Sequence, residues 1–255
     1  MVESFTTLMP PSASHVPPQS AAGYDSGPKV FISNGVPIQY SIEGKGDPVV
    51  LIHGLFASAR INWRISGIIK ALAKDYQVIA MDVRGHGGSG KPKEDEAYGV
   101  EMMEDVVRLL DHLNIQKAHV VGYSMGGMIT MKLLTRHPDR ARSAILGGMG
   151  WLRQGGPLQQ SWTQVPGRVR AAIPPACVRS LGALAVTEDE VKAIRIPVTV
   201  LIGESDSCRP LYVAPLQQIR ADWPVTLIPD AGHLNCIFQP GFAKGVKDWL
   251  DRQTR

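Results

Sequence analysis

Residues Lys117 to Pro138 read KAHVVGYSMGGMITMKLLTRHP, and their parsing decides the fold. An apolar run from Ala118 to Val121 stops at Gly122. Ser124 sits between Gly122 and Gly126, and helical spacing of Met128, Ile129, Met131, Leu133 and Leu134 begins at once. The pattern is a strand, a tight turn and a helix start, with the serine at the apex. Such an apex crowds the backbone, so the positions two residues either side must lack side chains. The hydroxyl is pushed clear of the sheet. The next amide N–H, that of Met125, points from a helix N-terminus, where developing negative charge is favoured. A third glycine, Gly127, permits close packing behind the turn.

The neighbouring stretches repeat the strand–helix rhythm. Upstream, Lys29 to Ser33 and Val36 to Ile42 alternate polar and apolar residues around Asn34-Gly35, a tight-hairpin signal and an antiparallel edge with one wet face. Val49 to Ile52 and Val78 to Met81 are continuous apolar runs, as expected of strands covered on both faces. Trp63 to Asp75 and Glu101 to Leu113 carry helical spacing, with Asn114 a left-handed stop for the second. Downstream, Ala141 to Leu146, Pro197 to Ile202 and Val225 to Ile228 read as strands, Leu211 to Ala221 and Gly241 to Arg252 as helices. The sum is a mostly parallel, eight-stranded, doubly wound sheet, in which ligands bind beyond the carboxyl ends of the strands.

Two stretches depart from that rhythm. Residues 1–28 are rich in Pro and Ser and read as an arm lying across its own body or a neighbouring subunit, a route to a homo-oligomer. Residues 151–195 hold several prolines and glycines, two tryptophans and weak helical stretches, ending in the capping box Thr187-Glu-Asp-Glu190. They are expected to be a short cap inserted over the sheet, so that 29–150 and 196–255 form the core.

A serine nucleophile needs a base, and the base needs an orienting acid. Chain order Ser, then Asp or Glu, then His is the diagnostic for this kind of elbow. Among the seven histidines, His233 follows the strand Val225 to Ile228 and lies in a strand-end loop, Asp230-Ala-Gly-His, at the edge where Ser124 emerges. It is the expected general base and acid. Asp206, in Ile202-Gly-Glu-Ser-Asp, lies at the carboxyl end of the preceding strand and is the expected acid, with Glu204 its rival on the same loop. The oxyanion requires two N–H donors: Met125, and one from His53-Gly-Leu-Phe56, with Leu55 chosen and Phe56 the alternative.

Composition excludes other classes. A formal net charge of +4 comes with no Lys/Arg run longer than two, so nucleic-acid binding is not expected. No apolar run approaches the roughly 18 residues of a membrane span. No signal peptide is visible, which points to a cytoplasmic protein. Three cysteines, Cys177, Cys208 and Cys236, lack CxxC spacing, so no zinc site is read from them and three reduced thiols are expected. Whether Cys208 and Cys236 meet is not decided by spacing.

His53-Gly-Leu, Asp82-Val-Arg-Gly-His-Gly-Gly-Ser, Gly122-Tyr-Ser-Met-Gly-Gly, Gly203-Glu-Ser-Asp and Gly232-His, in this order, resemble the motif series of the α/β-hydrolase superfamily. The flavour is that of small bacterial serine carboxylesterases and their cofactor-free perhydrolase relatives. The resemblance runs from about Val30 to the C-terminus. It implies the α/β-hydrolase fold, an architectural role for His86, Trp63 packed behind the oxyanion loop, and no metal or organic cofactor. It also implies hydrolysis of small to medium carboxylic esters through an acyl-enzyme. The same triad serves C–C bond hydrolysis or peracid formation, and a hydrolase scaffold turned ligand receptor is a further reading. The serine argues against haloalkane dehalogenases and epoxide hydrolases, which use aspartate at that position.

Overall fold

The computed structural model describes residues 27–163 and 173–253. Eight strands form one sheet: β1 (Lys29–Ser33), β2 (Val36–Glu43), β3 (Asp47–Ile52), β4 (Tyr76–Met81), β5 (Ala118–Tyr123), β6 (Ala141–Gly147), β7 (Val198–Gly203) and β8 (Val225–Ile228). Their spatial order is β1-β2-β4-β3-β5-β6-β7-β8. The β1–β2 hairpin and the β2–β4 pair are antiparallel, and every pairing from β4 through β8 is parallel. The chain therefore has the α/β-hydrolase fold.

The continuous apolar runs have the cause the sequence suggested. Successive side chains of a strand point to opposite faces. Val50, Ile52 and Val120 enter the apolar cluster on one face of the sheet, while Val49, Leu51 and Val121 enter the cluster on the other. The first face is covered by α2 (Val100–His112) and α3 (Met125–Arg136). The second is covered by α1 (Ile68–Leu72) and the closing helix Pro240–Gln253 through Phe242, Val246, Trp249 and Leu250.

The expected helix Trp63 to Asp75 is broken in two. A single wide π-type turn, Arg60–Arg64, is separated from α1 by Gly67 at φ +78°, a left-handed residue through which no helix continues. The expected stop at Asn114 is present, at φ +54°.

The stretch after β6 holds α4 (Pro157–Thr163), α5 (Pro175–Arg179) and α6 (Glu188–Ala193), with part of it, 164–172, outside the described residues. Both halves of the α6 capping box form: Thr187 Oγ1 accepts from the Glu190 amide at 3.1 Å, and Glu190 Oε2 accepts from the Thr187 amide at 2.7 Å. The stretch is pinned to the body by Lys132 on α3, whose buried Nζ donates to the Ala185 carbonyl at 3.0 Å. Trp151 Nε1 donates to the Val186 carbonyl at 2.9 Å. Beyond it, α7 (Ala214–Ile219) extends a π-type turn begun at Arg209, and the closing helix is α8 (Pro240–Gln253). Of the expected arm, residues 1–28, positions 1–26 lie outside the described residues.

Candidate active site

Ser124 leaves the carboxyl end of β5 at φ +53°, ψ −114°. A residue bearing a Cβ is strained there by about 1–3 kcal/mol. The strain is held on both sides: the Ser124 amide donates to the Gly147 carbonyl at 2.8 Å, and its own carbonyl accepts from the Gly127 amide at 2.8 Å. Gly126 shows why the motif excludes side chains, since a Cβ built on it would lie 2.0 Å from the Ile52 carbonyl oxygen.

The acid and the base come from neighbouring loops. Asp206 follows β7 and His233 follows β8, both at the carboxyl ends of parallel strands, on the edge where Ser124 emerges. The loops run against each other: the Ser205 amide donates to the Ala231 carbonyl and the Glu204 amide to that of Ile228, each at 2.9 Å. Gly203 permits this approach, because a Cβ there would stand 2.3 Å from the Ala231 oxygen.

Across this edge the side chains form one line. Ser124 Oγ lies 2.9 Å from His233 Nε2. His233 Nδ1 lies 3.1 and 3.0 Å from the two carboxylate oxygens of Asp206. The Asp206 side chain is fully buried and that of His233 is 25% exposed, so the imidazole is open to a solute while the carboxylate is not. The carboxylate also accepts the Cys208 amide at 2.8 Å, which fixes its orientation. Its hydrogen bond, followed by the Cys208 thiol, raises the imidazole pKa well above the ordinary value, against the opposing effect of burial. Glu204, the rival acid, is exposed.

The turn carrying the expected oxyanion donor stands beside the serine. A Cβ placed on Gly54 would lie 3.3 Å from Ser124 Cβ. The Ala57 amide closes the turn onto the Gly54 carbonyl at 3.2 Å, with Leu55 half-buried and Phe56 exposed at φ +61°. The Gly54 amide is engaged by Asn62 Oδ1 at 2.8 Å. His53 locks the turn from beneath, its Nε2 accepting from the Val83 amide at 3.0 Å. Nδ1 therefore carries the proton and donates to the Gly54 carbonyl at 2.8 Å. Burial lowers the pKa of His53 to about 4 and, with the His53 ring 5.1 Å away, that of His86 to about 3, so both are neutral. Trp63 is fully buried within the apolar cluster on the α1 side.

Asp82 organises the turn after β4. Its carboxylate accepts from the Ala59 and Gly88 amides at 2.8 Å each and from Gln39 Nε2 at 3.0 Å. Arg84 beside it is buried and forms a bidentate pair with Asp105, both contacts at 2.6 Å.

Three contributors escape sequence reasoning. The Tyr123 hydroxyl donates to the His233 carbonyl, and its ring stacks on the imidazole at 5.8 Å. Burial pushes its phenol pKa far up, so it stays protonated and donates. Asn62 holds the Gly54 turn, and Asn235 Oδ1 holds the Gly232 amide at 2.8 Å. Tyr123 stands inside the quoted Gly-Tyr-Ser-Met-Gly motif, which was its one available signal. Cys177, Cys208 and Cys236 are free thiols, and no described helix is long and apolar enough to cross a membrane.

Comparison with known proteins agrees with this geometry. Residues 47–165 match the family model described as alpha/beta hydrolase fold. A 2-hydroxymuconate semialdehyde hydrolase from Pseudomonas sp. (strain CF600) is 36% identical over 120 residues, 46% of this chain and 42% of that protein. The chain spans about half or less of the length of the curated relatives it matches. Among solved structures, a thermophilic esterase from Thermogutta terrifontis superposes with a TM-score of 0.74 at 20% identity, covering 89% of this chain and 99% of that one. An epoxide hydrolase from Vigna radiata superposes with a TM-score of 0.74 at 15% identity, covering 89% and 98%. Sheet order, strained elbow and the match over residues 47–165 agree on the α/β-hydrolase fold.

Proposed function

We propose that the protein is a serine carboxylesterase acting on small to medium esters through an acyl-enzyme. The observation that carries the reading is the unbroken line Ser124 Oγ, His233 Nε2, His233 Nδ1, Asp206, with separations of 2.9 and 3.0 Å. In this reading His233 takes the Ser124 proton as Oγ attacks the ester carbonyl, then returns it to the leaving alcohol. Asp206 holds the Nδ1–H tautomer and stabilises the imidazolium. Met125 and Leu55 supply the main-chain N–H groups for the oxyanion, each worth about 2.7–4 kcal/mol by the behaviour of such donors elsewhere. Residues 151–195 form the short cap, residues 1–28 the arm, and the chemistry calls for no cofactor.

The reading is tested with p-nitrophenyl esters of increasing acyl length, wild type against Ser124→Ala. Wild-type turnover is expected to favour short acyl chains, and the variant to lose about 10⁶-fold in kcat, as serine knockouts do in subtilisin. Full turnover in the variant overturns the assignment.

The 36% identity to a semialdehyde hydrolase favours one second reading, C–C bond hydrolysis by the same three residues. A vinylogous diketone turned over faster than any ester would select it.

A further inference from the structure

Besides Ser124, the His233 imidazole faces a group that ester hydrolysis does not use. One Asp206 carboxylate oxygen, the Cys208 sulfur and a His233 ring nitrogen all lie within 4.8 Å of one another. We propose that these three residues form a binding site for a thiophilic divalent cation, zinc by its ligand preferences, and that the ion bound there switches the Ser124 centre off. The second half rests on the functional reading above; the first half does not.

The donor set argues for the class of ion. A thiolate, an imidazole and a carboxylate are the ligands zinc takes, at about 2.0–2.3 Å. Magnesium and calcium require oxygen-only shells and are disfavoured by sulfur. Around a tetrahedral zinc the ligand atoms stand roughly 3.3–3.7 Å apart, as those bond lengths require. The Asp206–Nδ1 separation of 3.0 Å already falls near this range. The widest separation allowed by the cluster, 4.8 Å, closes with a movement of about 1 Å. Asp206 and Cys208 are two residues apart on one loop and tied by the Cys208 amide at 2.8 Å, so the movement falls on side-chain torsions.

Access and contrast support the site. An open cleft of about 490 Å³, lined by Glu204, Ser205, Asp206, Ser207 and Arg209, lies against the loop that carries Asp206 and Cys208. Exposed Glu204 adds negative charge at its mouth. Cys208 is half-buried, whereas Cys177 and Cys236 are buried, and burial pushes both of their thiols up to about 12. Those two have the character of inert core thiols. No spacing motif announces the cluster, because His233 reaches it through the fold rather than through a local repeat.

Inhibition follows from proton bookkeeping. On binding, the Cys208 thiol releases one proton to solvent, the proton of His233 Nδ1 relocates by way of solvent to Nε2, and the ion takes the two vacated positions. A neutral imidazole ligated at Nδ1 carries its remaining hydrogen on Nε2. Nε2 lies 2.9 Å from Ser124 Oγ, so it donates there instead of accepting, and the serine has no base.

The test uses the full chain, freed of metal by chelation. Cadmium is titrated while thiolate-to-cadmium charge-transfer absorption is followed in the ultraviolet, and zinc is titrated against p-nitrophenyl acetate turnover. Both are run on wild type and Cys208→Ser, with Cys208→Ala as a second removal and each rate scaled to that protein's own metal-free rate. The expected result is a one-to-one absorption band in wild type that is absent from both variants. Zinc inhibition reversed by EDTA is expected alongside it, its midpoint moving at least about 10–100-fold upward without the thiol, since even outer-shell partners cost that much in affinity. No band in wild type, a band persisting in folded Cys208→Ser or Cys208→Ala, or equal zinc inhibition with and without the thiol overturns the proposal. A Cys208-dependent band in a protein without ester turnover supports the ion site and sinks the esterase reading alone.

Discussion

Replacing Asp206 by Asn changes one atom and reverses the hydrogen-bond logic of the centre. The carboxylate accepts from the Cys208 amide at 2.8 Å and from His233 Nδ1 at 3.0 and 3.1 Å. An asparagine can keep the amide with its carbonyl oxygen, which turns its NH₂ group towards Nδ1. A donor facing Nδ1 selects the other tautomer, with hydrogen on the nitrogen 2.9 Å from Ser124. The base is then occupied and the imidazolium has lost its counter-charge. In the template Ser-His-Asp enzyme the same change lowers kcat about 10⁴-fold, or about 5.5 kcal/mol at 1.36 kcal/mol per decade. A loss of that order is expected here, with KM little altered. The pH profile supplies a second reading. Asp206 is the first cause of the raised imidazole pKa, and turnover needs the unprotonated ring, so wild-type kcat/KM should rise with pH about a midpoint above ~6.5. Asp206→Asn should move that midpoint down. The same shift has a sign for stability: a His with a raised folded pKa contributes fully below the unfolded value of ~6.5, and the contribution is lost as pH rises through the folded value. Stopped-flow ester hydrolysis and urea melts across pH measure both. An asparagine variant within tenfold of wild type, with an unmoved midpoint, refutes the reasoning.

Other perturbations separate positioning from packing. Tyr123→Phe removes the hydroxyl that holds the His233 carbonyl, worth about 1 kcal/mol as a net hydrogen bond; kcat should fall and chemical denaturation should report a stability loss of about that size. Asp105→Ala strands the Arg84 guanidinium, which is 1% exposed and bonded twice at 2.6 Å; chemical denaturation should report a loss of about 3–5 kcal/mol. Thr187→Ala opens the capping box of α6 and should cost about 1 kcal/mol, seen as a small drop in melting temperature.

The strands were legible because burial on both faces leaves an uninterrupted apolar run. Their ends were less so: β3 and β4 begin at Asp47 and Tyr76, where Asp47 pairs with Tyr76 and Pro48 with Gln77, and such pairing carries no hydrophobic signature. The helix expected from Trp63 was misjudged because its apolar spacing runs on through Gly67, whose backbone sign no periodicity reports. Ser124, Asp206 and His233 could be read because each closes a recognisable strand, and strand ends of a parallel sheet share an edge. Tyr123 meets the His233 carbonyl across 110 residues of chain, and Asn62 meets Gly54 through the fold of one turn. Contacts of that kind become visible only when the chain is closed.

The Tyr123 bond has a mechanical consequence. Tyr123 is covalently joined to Ser124, its hydroxyl grips the backbone of His233, and the imidazole reaches back to the serine oxygen, completing a small ring. Nucleophile and base are thereby coupled as one rigid body. Thermal jitter of the tip of β5 carries both in common mode, and the displacement cancels in the one separation along which a proton must hop.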